Sequence, residues 1–198
     1  MGKHVRAAQD RGFTLVELLV VVVVGTALLA LAIPNFTRFI VNQRLKSVNA
    51  QLVTDLQFAR SEATSRNIPV YFNYRQTFTQ SCYTIFTTEV PGAVCNCTAT
   101  DPCALATLKE IRTVRIPFSD KVRFGAGGAA TTFGFDNVNG GIYYTTSDFA
   151  DSTITDFVLN TYVVGDTSRM LKTVVSPAGR PSVCSAGATS ITGFETCP

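Results

Sequence analysis

Apolar positions along this chain follow three successive patterns. Residues 13–33, FTLVELLVVVVVGTALLALAI, are 21 positions with one charged member, Glu17. As a helix they reach about 31 Å, enough to cross a hydrocarbon core of roughly 30 Å. Beyond Pro34 the pattern becomes a stripe: Val41, Leu45, Val48, Leu52, Leu56, Ala59 and Ala63 recur at steps of three and four, one face of a 3.6-residue helix. Because this periodicity resumes after Pro34, the proline is expected to kink the helix rather than end it. Arg38, Arg44, Lys46, Asp55, Arg60, Glu62 and Arg66 lie off the stripe, and the stripe predicts a core-facing amphipathic helix. Asn67-Ile68-Pro69 stops it, since a residue before proline is pushed out of the helical region.

After Pro69 the pattern shortens to runs rich in Thr, Val, Ile and aromatic residues, separated by Gly, Asn, Asp and Pro. Strands are predicted over residues 70–74, 82–88, 110–116, 121–124, 131–135, 142–145, 153–164 and 170–175. Asp136-Asn137-Val138-Asn139-Gly140-Gly141 and Gly165-Asp166 are turn signals. An antiparallel sheet packed on the long helix buries both apolar faces. The expected class is α+β. Its segments are a short polar start at 1–12, an expected transmembrane helix at 13–33, an amphipathic continuation at 34–68 and an exported β-rich domain at 69–198.

Composition narrows the chemistry. In 198 residues there is one histidine, His4, and 17 Lys and Arg stand against 14 Asp and Glu. Residues 1–12 hold Lys3, Arg6 and Arg11 against Asp10. A basic start before an apolar run keeps the N-terminus in the cytoplasm and sends everything after Pro34 outside. If residues 1–12 are removed, no imidazole remains, and 14 basic side chains face 13 acidic ones. Histidine-based triads, zinc sites and pH switches then lack their central group. Acidic residues are scattered without a paired motif, so no catalytic residue, cofactor or metal is expected. Cys82, Cys95, Cys97, Cys103, Cys184 and Cys197 all follow the apolar run, and an even count in an exported domain predicts disulfides. Cys95, Cys97 and Cys103 lack the fourth ligand that zinc requires.

Three fates compete for the apolar run. Ala30-Leu31-Ala32 fits a secretory cleavage site, and an uncut signal anchor is the second possibility. The third is a leader cut after Gly12, with the apolar run kept as the mature N-terminus. Glu17 separates them. A carboxylate inside a membrane helix costs a few kcal/mol and is expected only beside a partner. Cutting before Phe13 supplies one, a free α-amino group about one helical turn away.

Arg11-Gly12-Phe13-Thr14-Leu15-Val16-Glu17-Leu18 resembles the leader-peptidase and methylation site of the type IV pilin and pseudopilin superfamily. The resemblance implies cleavage between Gly12 and Phe13, N-methylation of Phe13, and pairing of Glu17 with a neighbouring subunit's amino terminus during assembly. It also implies the pilin-like fold, a long helix on an antiparallel sheet. Leu56-Gln57-Phe58-Ala59-Arg60-Ser61-Glu62-Ala63 with Asn67-Ile68-Pro69-Val70 resembles the FimT/FimU/GspH branch of minor pilins and pseudopilins. In that reading Ala59 and Ala63 let the helix approach the sheet, while Arg60 and Glu62 face solvent. A local loop resembling a pilin C-terminal disulfide joins Cys184 to Cys197, and Cys82 pins the loop carrying Cys95, Cys97 and Cys103.

Residues 174–184, VVSPAGRPSVC, resemble the last strand of FimT/GspH proteins. In FimT proteins of DNA uptake the Gly-Arg pair extends to Gly-Arg-x-Arg and contacts phosphates. Here Gly179 and Arg180 are present, but Ser182 stands at the second arginine, which weakens a phosphate clamp. The plainer and preferred reading makes Gly179 a turn residue and Arg180 a solvated or carbonyl-capping side chain. Lys109, Arg112, Arg115, Lys121 and Arg123 form a second basic cluster diluted by Glu110 and Asp120, and Tyr143 and Tyr144 read as sheet residues. The resemblance thus implies a non-enzymatic minor subunit of a type IV pilus or a type II secretion pseudopilus, at the filament tip. Its partners would be other major and minor pilins or pseudopilins, the prepilin peptidase and inner-membrane lipid. The alternative is a DNA-binding subunit of natural transformation.

Overall fold

The computed structural model describes residues 14–90, 92–127, 131–144 and 155–198, with backbone alone for residues 31–35. Among the described residues one α-helix, α1 (Leu15–Arg66), is followed by nine strands: β1 (Val70–Gln76), β2 (Gln80–Thr88), β3 (Leu108–Pro117), β4 (Val122–Ala126), β5 (Thr132–Phe135), β6 (Ile142–Tyr143), β7 (Phe157–Val163), β8 (Asp166–Val175) and β9 (Pro181–Ser185). The helix passes through Pro34. The chain divides into two units, Met1–Ile40 and Val41–Pro198.

In the first unit the described side chains of residues 15–30 are apolar except Glu17 and Thr26, and nearly all are exposed. Among the described residues no helical stretch is long and apolar enough to cross a membrane. The expected span of 13–33 extends onto residues whose side chains lie outside the described ones.

In the second unit the stripe on α1 meets its expected role. Leu45, Leu52, Leu56, Ala59 and Ala63 are all at most 1% exposed. The helix ends as the sequence requires. Asn67 takes a left-handed φ of 54°, and Ile68 N–H donates to the Ala63 carbonyl at 3.3 Å, a Schellman closure just before Pro69.

The strands form two antiparallel sheets rather than the single sheet expected: β3-β2-β1-β5-β6 and β4-β7-β8-β9. One core joins both to α1. Leu52, Leu56, Ala59 and Ala63 pack with Phe72, Tyr83, Ile85 and Phe133 of the first sheet and with Phe124, Phe157, Leu159 and Val175 of the second. The ring of Phe157 lies 4.4 Å from that of Phe133 and 5.8 Å from that of Phe72. A second cluster gathers Leu45, Val122, Val163, Leu171 and Ile191. Residues 174–184, expected as one last strand, are a hairpin whose turn separates β8 from β9.

The outer face of the five-stranded sheet is covered too. Tyr71, Phe86 and Leu108 pack against Cys95, with Val94 and Cys103 beside them. The loop between β2 and β3 is held there by bonds Cys82–Cys97 and Cys95–Cys103. Arg115 adds hydrogen bonds from Nε to the Cys97 carbonyl and from Nη2 to the Ala99 carbonyl, both 2.8 Å. Cys184–Cys197 ties β9 to the C-terminal tail.

Two polar side chains fix α1 against the sheets. Asn49 Nδ2 donates to Thr161 Oγ1 at 3.1 Å and to Thr173 Oγ1 at 2.7 Å. Asp55, expected on the polar side of α1, is instead 1% exposed. Its carboxylate accepts the Tyr83 hydroxyl at 2.6 Å and pairs with Arg112 at 2.9 Å. Burial first, and the bond to Asp55 second, hold the Tyr83 hydroxyl well above the usual phenol range. A buried carboxylate is tolerated when charge and lone pairs are both met.

Asp55→Ala is therefore expected to lower the unfolding free energy by about 1.5–3 kcal/mol, the range for hydrogen bonds to charged groups. Gln51→Ala, on the exposed side of α1, should change it by less than about 0.5 kcal/mol. Urea denaturation of the full chain in detergent measures both, and equal losses would contradict the assignment.

Candidate assembly segment and arginine groove

The first candidate site is the start of α1. Thr14-Leu15-Val16-Glu17 has the spacing of a capping box. Thr14 Oγ1 accepts the Glu17 N–H at 3.2 Å, and the Thr14 carbonyl accepts the Leu18 N–H at 3.2 Å. Glu17 is thus in the first turn, where a carboxylate also meets the positive end of the helix dipole. Its side chain is exposed, among exposed Leu15, Val16, Leu18 and Leu19. Thr26 Oγ1 donates to the Val23 carbonyl at 2.9 Å, so this hydroxyl is satisfied within the helix. The segment offers aliphatic surface on all sides plus one anion near its end. The cleavage and methylation positions, Gly12 and Phe13, lie outside the described residues.

The second candidate is a groove of about 630 Å³ lined by Gln57, Arg60, Ser61, Thr64, Gly179, Arg180 and Pro181. Its floor is a backbone junction. The turn after β8 is closed by Gly179 N–H donating to the Ser176 carbonyl at 2.8 Å, and by Ser176 N–H donating to the Arg180 carbonyl at 3.1 Å. Gly179 sits at φ +72°, and a Cβ there would fall 1.9 Å from the Gly140 carbonyl oxygen. That same oxygen accepts Arg60 Nε at 3.0 Å. The Pro177 carbonyl accepts the Ile142 N–H at 2.9 Å, so this turn of one sheet meets the end strand of the other.

Arg60 is therefore half-buried and bonded, not solvated as expected. Glu62 is also largely covered and pairs with Arg66 one turn on. Arg180 is exposed, and among the described residues its guanidinium has no ion pair. Ser182 Oγ donates to the Val174 carbonyl at 3.3 Å. The groove brings Gly179 and Arg180 together with Arg60, which the sequence pattern did not connect to them.

Three arginines of the second basic cluster are committed to structural contacts, while Lys109 and Lys121 are exposed. Arg112 is committed to Asp55 and Arg115 to the disulfide loop. Arg123 is 9% exposed, donates to the Thr77 carbonyl and lies over the Phe118 ring at 5.2 Å. Tyr143 donates to Tyr71 at 3.0 Å and Tyr144 to the Thr155 carbonyl at 3.0 Å, so neither ring is a free stacking platform. All six cysteines are in the three disulfides described above.

Comparison with known proteins finds matches to two parts of the chain. The family described as "Type II transport protein GspH" matches residues 49–179, and the "Prokaryotic N-terminal methylation motif" matches residues 8–33. The type IV minor pilin FimU of Pseudomonas aeruginosa PAO1 shares the fold. Its crystal structure in space group P21 gives a TM-score of 0.50 at 18% identity, covering 76% of this chain and 94% of that one. Its P65 form gives 0.47 at 18%, covering 74% and 97%. Among curated proteins there is no match. The GspH match covers about two thirds of the residues and contains α1 from Asn49, strands β1 to β8 and Gly179, and on that ground the chain belongs to the GspH family, a minor pilin or pseudopilin whose family and fold are those of structural subunits, not enzymes.

Proposed function

We propose that this subunit is held in the inner membrane by residues 13–33, with its N-terminus cytoplasmic and the second unit periplasmic. It is cut between Gly12 and Phe13, methylated on Phe13, and drawn into a type IV pilus or type II secretion pseudopilus near the filament tip. There the apolar part of α1 packs among equivalent helices of other pilins or pseudopilins. One observation carries this reading: a methylation motif and a GspH match follow one another in a single chain, joined by one uninterrupted helix.

The chemistry of Glu17 supports it. An aliphatic helix start bearing one carboxylate is costly in hydrocarbon unless the charge is met. Cleavage before Phe13 would create an α-amino cation four residues before Glu17, about one helical turn along the chain. A nearly neutral mature chain, 14 basic against 13 acidic side chains, also suits close packing of many copies.

Two features weigh against DNA as the partner. Gly179 serves the turn against Gly140, and Arg180 stands without a second arginine at position 182. Phosphate affinity grows with the number of charges neutralised, and a lone arginine supplies little.

Mass spectrometry of the membrane form should find a mature chain beginning with N-methylated Phe13; a start at Ile33 would overturn the reading. Glu17→Ala should leave cleavage intact and remove the subunit from sheared filaments. In the groove, Gly179→Ala should cost more than about 1 kcal/mol from the left-handed backbone alone. Arg180→Ala should stay within about 0.5 kcal/mol of the parent. Thermal denaturation separates the two.

A further inference from the structure

The end of the second unit at which the chain enters bears a rim of exposed aromatic and cationic side chains. Thr77 N–H donates to the Gln80 carbonyl at 2.8 Å, closing the β1–β2 turn. Phe78 at its tip is 98% exposed. Phe118, which opens a short 3-10 helix (Phe118–Asp120), is 49% exposed. Its N–H donates to the Thr79 carbonyl at 2.9 Å, so the two tips form one ledge. Arg123 braces the ledge from behind through the Thr77 carbonyl and the Phe118 ring.

This ledge lies beside the first turns of α1 in the unit. Asp120 pairs with Arg44 at 2.5 Å, and the Lys121 carbonyl accepts Val164 N–H at 2.8 Å. The nearby Asp166 is taken by Arg169 at 2.8 Å, which also reaches Asn42 at 2.9 Å. Both carboxylates of the rim are thus neutralised. Lys121 is left exposed with no ion pair among the described residues.

We propose that this rim seats on the membrane: Phe78 and Phe118 enter the boundary between lipid headgroups and acyl chains, and Lys121 meets lipid phosphate. The proposal rests on reading residues 13–33 as the anchor. The occupant follows from connectivity. Seven residues, 34–40, separate that segment from the unit, a reach of about 25 Å even fully extended. A bilayer holding the segment is therefore always within range of this end. Phe side chains beside cations are found at the boundary of headgroups and acyl chains in interfacial segments, and a wholly hydrated Phe gains by leaving water. Two aromatic tips suffice for a lipid surface, whereas a stable protein partner needs about 800 Å² on each side. The contact would hold the unassembled unit in one orientation until the filament draws it away.

The chain contains no Trp, so single-Trp variants report position directly. The full chain would be reconstituted in vesicles of phosphatidylethanolamine and phosphatidylglycerol, with or without bromine on the acyl chains. Three variants are compared: Phe78→Trp on the rim, Val22→Trp in the anchor, and Val138→Trp. Val138 is 81% exposed and follows Asn137, which bonds to Asn67 at the other end of α1. Expected are blue-shifted emission and loss of intensity on brominated lipid for Phe78→Trp and Val22→Trp, with neither for Val138→Trp. Quenching of Val22→Trp without quenching of Phe78→Trp overturns the proposal and leaves the anchor reading standing. Quenching of neither overturns both. Blue-shifted but unquenched emission from Phe78→Trp means burial against protein and also overturns it.

Discussion

Burial of one stripe of α1 against two sheets is the constraint on which the second unit depends. The four-stranded sheet offers Phe124, Phe157, Leu159 and Val175 as an apolar face, and the five-stranded sheet offers Phe72, Tyr83, Ile85 and Phe133. Leu52 and Leu56 fill the space shared by both. Ala59 and Ala63, fully buried, let the helix backbone come close where larger side chains would hold it off. Asn49 and Asp55 then bond the same helix to opposite sheets. An apolar stripe alone would tolerate rotation and sliding of a helix. A carboxylate that must meet Tyr83 and Arg112, six residues from an amide that must meet Thr161 and Thr173, permits one register.

Much of this was legible in the amino-acid pattern, and the failures have physical causes. The stripe from Val41 to Ala63, the stop at Asn67-Ile68-Pro69 and eight of the nine strands follow from periodicity and turn residues. The split into two sheets does not, because period two states which residues share a face but not which strands are neighbours. Asp55 was misjudged because helical position alone classes an acid as solvent-facing; Tyr83 and Arg112, which satisfy it, come from strands 28 and 57 positions later. Arg60 was misjudged for the same reason, its acceptor being the Gly140 carbonyl. A signal existed: Gly140 closes a turn motif, and a glycine needed for close approach invites a donor. The covered outer face of β1 and β2 hid their alternation, since Tyr71 and Phe72 are both buried.

The candidate sites divide in the same way. The N-terminal methylation motif was readable because it is local in sequence, and the capping geometry adds a structural use for Thr14 and Glu17. The groove at Arg60 and Gly179 is tertiary, assembled from α1, the Gly140 turn and the β8–β9 turn. It explains why a glycine stands before Arg180 without invoking any ligand. The disulfides belong to this scaffold. They fasten a loop over one sheet and a tail to the other, where a unit of modest size gains from covalent closure.

The central claim, that α1 makes one cooperative body of two sheets, is tested most directly by native-state hydrogen exchange on the full chain carrying Leu56→Ala. The slowest amides of β1 and of β8 should lose protection together, by the same amount, within the range of about 2–5 kcal/mol for such a truncation. Loss confined to one sheet, with the other still protected as in the parent, would contradict it.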